Sequence, residues 1–370
     1  MKPDFGKLGF GFLRLPNLDP NDPSCVDLEK TKEMVDLFMQ RGFRYFDTAY
    51  IYLGGKSEVF LRKALVERYP RESFMIADKL PCGFLKQGKT PQEIFAEQLL
   101  RCGVDYFDVY LLHGLDAEDA AYAEKMGCFD FLREQKEKGL VRYTGFSFHD
   151  TADVLDNLLT RHPEIDVVQI QLNYLDWDNP IIQSGACWEV CRKHGKPIIV
   201  MEPIKGGTLA SVPEEAARLM NGENPAHRAL RFAASREGVA LVLSGMSTIA
   251  QVAENTALMA PFVPLSPEED GVLQQAARII RSAVAIPCTG CAYCVAGCPA
   301  GIPIPRYFSL FNDRERDGWQ ANAEDRYAAL TQTLAPAKSC ICCAQCEAAC
   351  PQKLPIPALL QQVSAVFDHK

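Results

Sequence analysis

Four side chains in the first third of the chain are of types that do chemistry together. Asp47 closes the short apolar run Phe43–Asp47, and Tyr52 follows in a Gly-containing turn just before Ser57 and Glu58 open a helical pattern. Lys79 ends the run Phe74–Lys79, and His113 stands directly after the run Phe107–Leu112. A phenol with its usual pKa near 10 is a poor acid at neutral pH, but an adjacent ammonium favours the phenolate and lowers that value. Asp47 would hold Lys79 and balance its charge, while His113 could donate a hydrogen bond to a carbonyl oxygen. Such a pocket would stabilise negative charge on an oxygen as hydride arrives at the attached carbon. Taken singly, Asp47 reads as a turn residue, Lys79 as a strand-end charge and His113 as a core histidine. Their joint order at the ends of three successive strands makes the functional case.

A second constellation lies near the C-terminus. Of 15 cysteines, six are scattered over the first 287 residues and nine crowd into the last 83. Cys288, Cys291, Cys294, Cys298 and Pro299 recur at an offset of 52 residues as Cys340, Cys343, Cys346, Cys350 and Pro351. Pro303-Ile304-Pro305 likewise recurs as Pro355-Ile356-Pro357, and a partly helical insert around Trp319–Leu330 separates the two copies. Each copy reads C-x2-C-x2-C-x3-C-P, a spacing that wraps three thiolates round a cubane [4Fe–4S] cluster. The segment resembles a two-cluster ferredoxin domain, in which the fourth cysteine of each run reaches the other cluster. On that pattern Cys288, Cys291, Cys294 and Cys350 hold one cluster, and Cys340, Cys343, Cys346 and Cys298 the other. Two structural zinc sites are the plain rival, but zinc ribbons use separated C-x2-C knuckles. Cys342 adds a thiol beside Cys343 and reads as a bystander, with a ligand swap as the alternative.

Composition narrows the setting. At 370 residues the chain exceeds one small core and fits a barrel-sized domain with an appendage. Hydrophobic content of 48% and charged content of 23% are those of an ordinary globular protein. A net charge of -8 argues against nucleic acid, which needs a basic face. No apolar run approaches the roughly 18 residues of a membrane span, and the first residues, MKPDFGKLGFGFLRLP, lack the apolar core of a signal peptide. Clustered cysteines then point to metal or redox work in a reducing, cytoplasmic compartment, not to disulfides.

The elements that must position the first constellation are legible as alternation. Strand-like runs occur at Leu8–Leu13, Phe43–Asp47, Phe74–Lys79, Phe107–Leu112, Val141–Phe146, Val167–Gln171, Pro197–Met201 and Ala240–Leu243. Helical patterns at Leu28–Gln40, Ser57–Arg68, Phe129–Lys138 and Ile181–Lys193 intervene, and Thr90, Pro91 and Glu93 spell a helix start with a capping box. Eight strands alternating with helices over about 250 residues predict a (β/α)8 TIM barrel, with catalysis at the carboxyl ends of its strands. A doubly wound sheet fits less well, because no GxGxxG follows the first strand. The expected organisation is a barrel over 1–260, a linker and helix over 261–287 started by Ser266-Pro267-Glu268-Glu269, and a small ferredoxin-like iron–sulfur domain over 288–370.

The stretch FDTAYIYLGGKSE, with Lys79 and His113, resembles the aldo/keto reductases across about residues 5–260, and the whole chain resembles their subgroup with a C-terminal two-cluster domain. The resemblance implies a tetrad of Asp47, Tyr52, Lys79 and His113 with Tyr52 as general acid. It also implies a nicotinamide dinucleotide, NADP or NAD, lying extended across the barrel mouth. Ser147 and Gln169 would hold its carboxamide, Lys205, Gly206 and Gly207 would approach the pyrophosphate, and Ser247, Gln251, Glu254 and Asn255 would meet the adenosine end. Three positions depart from the pattern: Met201 stands where a stacking tyrosine is usual, Phe148 replaces an asparagine, and Gly245 and Gln251 replace basic residues that grip a 2′-phosphate.

Three functions compete. The first is an oxidoreductase moving hydride between NAD(P)H and a small carbonyl or alcohol. Because nicotinamide moves electrons in pairs and each cubane takes one, a direct link to the clusters calls for a flavin, and the barrel's phosphate site could accept FMN. The second is therefore a reductase fed through the clusters by a redox partner protein. The third is a non-catalytic electron-transfer or redox-sensing subunit. Cys82 reads as a loop cysteine, Cys187 and Cys191 as core packing, and Tyr174 and Trp177 as either mouth or packing residues.

Overall fold

The computed structural model of the chain describes residues 4–19, 22, 24–179, 182–317 and 323–368. Eight strands follow one another in chain order and close into a parallel barrel. They are β1 (Leu8–Gly11), β2 (Tyr45–Asp47), β3 (Met75–Pro81), β4 (Phe107–Leu115), β5 (Val141–Phe148), β6 (Val167–Gln171), β7 (Ile198–Met201) and β8 (Val239–Ser244). All eight fall on the runs expected from the sequence. The main departures are β3 and β4, which run past Lys79 and Leu112 because their ladder continues through the pairs Leu80–Leu112 and Pro81–His113. Lys79 and His113 therefore sit inside a ladder, where backbone pairing fixes them, and not at frayed strand ends.

Strand alternation decides which side chains fill the barrel. Tyr45, Ala77, Val109, Leu111, Val167, Ile199, Leu241 and Leu243 form one buried interior cluster with Phe5. Asp47, Lys79, His113, Gln169 and Met201 each lie two residues beyond a member of that cluster, so they share its inward direction. The apolar layers thus support a polar layer on the carboxyl side. At the opposite end Phe5 packs edge-on against Tyr45 (5.3 Å) and Tyr143 (5.4 Å) and stoppers the floor. One interior position must be glycine: a Cβ on Gly145 would meet Val167 O at 2.4 Å, whereas one on Gly9 would press on the side-chain end of Leu243 at 2.7 Å.

The surrounding helices obey local signals. Leu28–Gln40 is capped by Asp27, whose side chain accepts from Lys30 N, and Pro91–Cys102 starts with the capping box of Thr90 and Glu93. The run Ser57–Arg68 begins as an α-helix, Ser57–Leu61, then widens into a π-helical turn over Arg62–Val66. The run expected from Phe129 is the helix Cys128–Glu137. The helix expected from Ile181 starts at Ser184; Ile181 itself lies outside the described residues. No helix among the described residues is long and apolar enough to cross a membrane.

By packing the chain divides into two compact units, one of residues 1–203 with 229–266 and one of 204–228 with 267–370. The second unit therefore recruits the segment that connects β7 to β8. It contains the helices Pro267–Ala283, Ile304–Asp317, Ala323–Thr331 and Ile356–Phe367. Of the expected insert around Trp319–Leu330, the helix Ala323–Thr331 is described and Trp319 lies outside the described residues. The core of this unit joins Tyr307, Phe308, Leu360, Val363 and Phe367 to Cys294, Cys346 and Cys350.

The sequence repeat is also a backbone repeat. The short helices Tyr293–Ala296 and Gln345–Ala348 correspond, and left-handed residues recur in register. Gly290 (φ 68°) matches Cys342 (φ 56°), Ala292 (φ 65°) matches Ala344 (φ 59°), and Gly301 (φ 65°) matches Lys353 (φ 49°). Cys342 is thus the residue at a turn position that its sister copy gives to glycine.

Candidate active site

The polar layer of the barrel brings the tetrad together. Lys79 is fully buried, and its Nζ donates to Asp47 Oδ1 at 2.6 Å and to Thr48 O at 2.8 Å. The same ammonium stands 4.9 Å from the centre of the Tyr52 ring. Tyr52 meets His113 edge-on, with ring centres 5.8 Å apart. A phenol is therefore flanked by a cation and an imidazole, on elements whose geometry the backbone fixes. Tyr52 opens a tight turn in which Leu53 (φ 53°) and Gly54 (φ 64°) are left-handed. The turn is anchored where Ser57 Oγ meets Thr48 Oγ1 at 2.7 Å and donates to Phe12 O at 3.1 Å.

Electrostatics follow from burial. Desolvation raises the Asp47 carboxyl above its ordinary value, and the ion pair with Lys79 pulls it back. His113 is held well below the usual histidine value, first by burial, then by the Lys79 and His149 charges. The imidazole is consequently neutral at physiological pH and can present an N–H to an oxygen without carrying charge.

Two inward residues of the same layer suit a carboxamide. Gln169 is 2% exposed, its Nε2 faces Met201 Sδ at 3.4 Å, and its buried Oε1 has no hydrogen-bond partner. Such an orphan acceptor is costly unless something donates to it. Ser147 Oγ accepts from Gly114 N at 2.7 Å, so its hydroxyl hydrogen remains to be given elsewhere.

Residues expected at the adenosine end cluster after β8, engaged with one another. Ser247 Oγ donates to Arg14 O (2.7 Å), Ser247 N donates to Gln251 Oε1 (2.7 Å), and Asn255 Nδ2 donates to Ser244 Oγ (3.1 Å). Glu254 lies exposed on the same helix, Ile249–Met259. The segment Lys205-Gly206-Gly207, expected near a pyrophosphate, belongs to the second unit. There the Lys205 side chain is buried and Nζ donates to Gln352 Oε1 at 3.1 Å. The strained turn directs this side chain inward, so its ammonium is already engaged.

In the cysteine unit seven of the eight expected ligand positions fall into two neighbourhoods, and Cys343 is exposed with Cys342 beside Cys340. The Cys294 thiol is pushed up by burial and by Cys291, Cys288 and Cys350 beside it. Burial likewise raises the Cys346 thiol, with Cys340 and Cys298 as its thiol neighbours. Each neighbourhood draws cysteines from both copies of the repeat. Among the described residues no three His, Cys, Asp or Glu side chains close round a single ion; a cubane, with each thiolate on a different iron, asks for a wider set. Backbone N–H groups also aim at sulfur, as Gly290 N does at Cys288 Sγ (3.4 Å).

The sequence reading missed four contributors. His149 lies two residues beyond Ser147, so the alternation rule reaches it, and its charge bears on His113. Gln98 and Asp78 grip the Lys79 backbone, Gln98 Nε2 donating to Lys79 O (3.0 Å) and Asp78 Oδ1 accepting from Lys79 N (2.8 Å). Arg14 lies along the backbone of Gly245, where a Cβ would meet its Cδ at 3.1 Å; no periodicity marks it. Tyr174 and Trp177 pack on Phe232, with ring centres 5.9 Å and 5.4 Å away. Cys82, Cys187 and Cys191 are buried.

Comparisons with known proteins agree with this architecture. A model of the aldo/keto reductase family matches residues 7–277, and one of the 4Fe-4S dicluster domain matches residues 287–354. The chain belongs to the aldo/keto reductase family and is an oxidoreductase carrying a 4Fe-4S domain. An aldo-keto reductase of Mycobacterium avium (strain 104) is 30% identical over 229 residues, covering 61% of this chain and 75% of that protein. L-galactose dehydrogenase of Arabidopsis thaliana is 24% identical over 256 residues, covering 62% and 77%. The barrel is shared with an aldo-keto reductase of Bacillus halodurans in its holo form (TM-score 0.59, 23% identity, 75% of this chain and 95% of that one). It is also shared with one from Klebsiella pneumoniae in complex with NADPH (TM-score 0.57, 18% identity, 75% and 91%).

Proposed function

We propose that the barrel reduces a small carbonyl compound, or oxidises the matching alcohol, using NAD(P)H, with Tyr52 as the proton donor and acceptor. The observation that carries this reading is the flanking of Tyr52 by the Lys79 ammonium, 4.9 Å from its ring centre, and by the imidazole of His113. A bound reduced nicotinamide supplies the hydride; everything else is done by side chains. His113, neutral, donates a hydrogen bond to the substrate oxygen and orients it towards the phenol. Tyr52 gives its proton to that oxygen as negative charge develops there, and Lys79 stabilises the phenolate left behind. Asp47 fixes Lys79 in place and keeps the buried site close to neutral overall.

The residues present fit a nicotinamide. Its carboxamide has one donor and one acceptor group, matching the orphan Oε1 of Gln169 and the hydroxyl hydrogen of Ser147. Arg14, beside Gly245, is a guanidinium at the end of the site where a 2′-phosphate would otherwise lack a cation. The two thiol neighbourhoods fit two [4Fe–4S] clusters ligated crosswise, Cys288, Cys291 and Cys294 with Cys350, and Cys340, Cys343 and Cys346 with Cys298. These clusters would exchange single electrons with a redox partner protein.

The test is anaerobic purification followed by iron, sulfide and flavin analysis and a carbonyl-dependent NAD(P)H oxidation assay on the same sample. About eight irons per chain, no flavin and turnover with small aldehydes or ketones are expected. Nucleotide binding with no turnover of any carbonyl would overturn the reductase reading, and stoichiometric flavin would replace it with a cluster-fed reductase.

A further inference from the structure

The elements that carry the phenol and the ammonium meet a second time, behind the barrel wall. Glu58 is the second residue of the helix Ser57–Leu61, which follows the Tyr52 turn. Asp78 precedes Lys79 on β3 and, by strand alternation, points out of the barrel into the helix layer. Both carboxyls are fully buried, and they lie in hydrogen-bonding contact with each other. Around them stand Arg101, Gln98 and Cys102 of the helix Pro91–Cys102 and Tyr110 of β4. Arg101 Nη1 donates to Glu58 Oε2 at 3.0 Å, and Cys102 Sγ approaches Asp78 Oδ2 at 3.7 Å. Asp78 Oδ1 accepts from Lys79 N, and Gln98, which also accepts from the Tyr110 hydroxyl, donates to Lys79 O.

Two negative charges do not fit in this space. Among the described residues no ammonium or guanidinium pairs with Asp78: Arg101 serves Glu58 and Glu97, and Lys79 serves Asp47 inside the barrel. If both groups were ionised, neither could donate to the other, and Glu58 Oε1, which is buried, would have no hydrogen-bond donor. One proton removes both faults, because it cancels the surplus charge and supplies the missing donor. Burial and the Glu58 charge accordingly hold the Asp78 carboxyl well above the usual carboxylate range.

We propose that Asp78 and Glu58 share one proton, and that the resulting bond between acid and carboxylate is a positioning device that sets Tyr52 against Lys79. The positioning role rests on the reductase function proposed above. The bond ties the helix that follows Tyr52 to the residue before Lys79, while Gln98 fixes the Lys79 carbonyl on the other side. Asp78 faces away from the barrel interior, so it acts through the Lys79 backbone and not on substrate.

The experiment is infrared difference spectroscopy of the full chain at neutral pH, joined to steady-state kinetics on the same samples. Wild type minus Asp78→Asn should show the carbonyl band of one buried protonated carboxyl, and Glu58→Gln should shift or abolish that band. No such band in wild type overturns the proposal, and so does a band that Glu58→Gln leaves in place. Kinetics test the positioning role. Asp78→Asn keeps a permanent donor towards Glu58 and should retain most of the wild-type kcat for carbonyl reduction. Asp78→Leu cannot donate and should lower kcat about 10- to 100-fold, with KM for the carbonyl compound little changed. Should Asp78→Leu not fold, Asp78→Ala makes the same comparison, and the infrared measurement needs neither. Equal kcat in the donating and non-donating variants overturns the positioning role. A wild type that turns over no carbonyl compound sinks the reductase reading instead, and the infrared band still decides whether the proton is shared.

Discussion

The polar layer of the barrel and the cysteine unit assemble their functional groups in opposite ways. In the barrel, Asp47, Lys79, His113 and Gln169 are far apart in sequence and meet because each occupies an inward position of a different strand. The apolar layers beneath them carry the stability, so single members can be exchanged without dismantling the fold. In the cysteine unit the groups lie a few residues apart, wound on short left-handed turns. There Cys294, Cys346 and Cys350 are themselves part of the core. If these cysteines hold clusters as proposed, a small unit whose ligands double as core residues would depend on what they bind for its stability. Topology supplies the first site and local spacing the second.

The contrast can be broken most directly at Tyr52. Tyr52→Phe removes the proposed proton donor but leaves the ring against Lys79 and His113, so kcat/KM for carbonyl reduction should fall about 10²- to 10⁴-fold, with iron content and thermal unfolding unchanged. Loss of iron in that variant would mean the two sites are not independent. Lys79→Met probes the barrel's tolerance. It leaves the Asp47 carboxylate buried without its ion-pair partner, a loss of about 3–5 kcal/mol in denaturant unfolding, and a second change, Asp47→Leu, should restore most of it.

Smaller effects sharpen the picture. His113 stays neutral in the folded barrel because burial, Lys79 and His149 all lower its pKa. The unfolded chain binds a proton near pH 6.5 that the native state declines, so stability falls as pH drops from about 6.5 towards the native value. His113→Asn should flatten that slope, and an unaltered slope would show that another group sets it. The smallest effect belongs to Cys342, left-handed at φ 56° where its sister copy has Gly290. Cys342→Gly should stabilise the unit by up to about 1 kcal/mol and leave iron content unchanged; loss of four irons would make Cys342 a ligand.

How much the sequence revealed follows the same division. The barrel was legible because strand and helix periodicities alternate cleanly from Leu8 to Ser244, and the cysteine repeat because its spacing is local. What escaped depends on register or on packing between distant segments. His149 could have been reached by continuing the alternation two residues past Ser147. Arg14 and Gln98 could not, since nothing in their own neighbourhoods says that one covers Gly245 and the other grips the Lys79 backbone. The resemblance places Lys205, Gly206 and Gly207 near a pyrophosphate. The close approach of Gly206 to Thr289 is visible only once the segment after β7 is seen to fold with residues 267–370.

Phe5, wedged between Tyr45 and Tyr143, closes the amino end of the barrel. On the function proposed above, dinucleotide and carbonyl compound would enter and leave by the same rim, and the larger of the two would be seated first. Kinetics should show an ordered queue, with alcohol departing before oxidised dinucleotide, and product inhibition by the dinucleotide should be competitive against its reduced form.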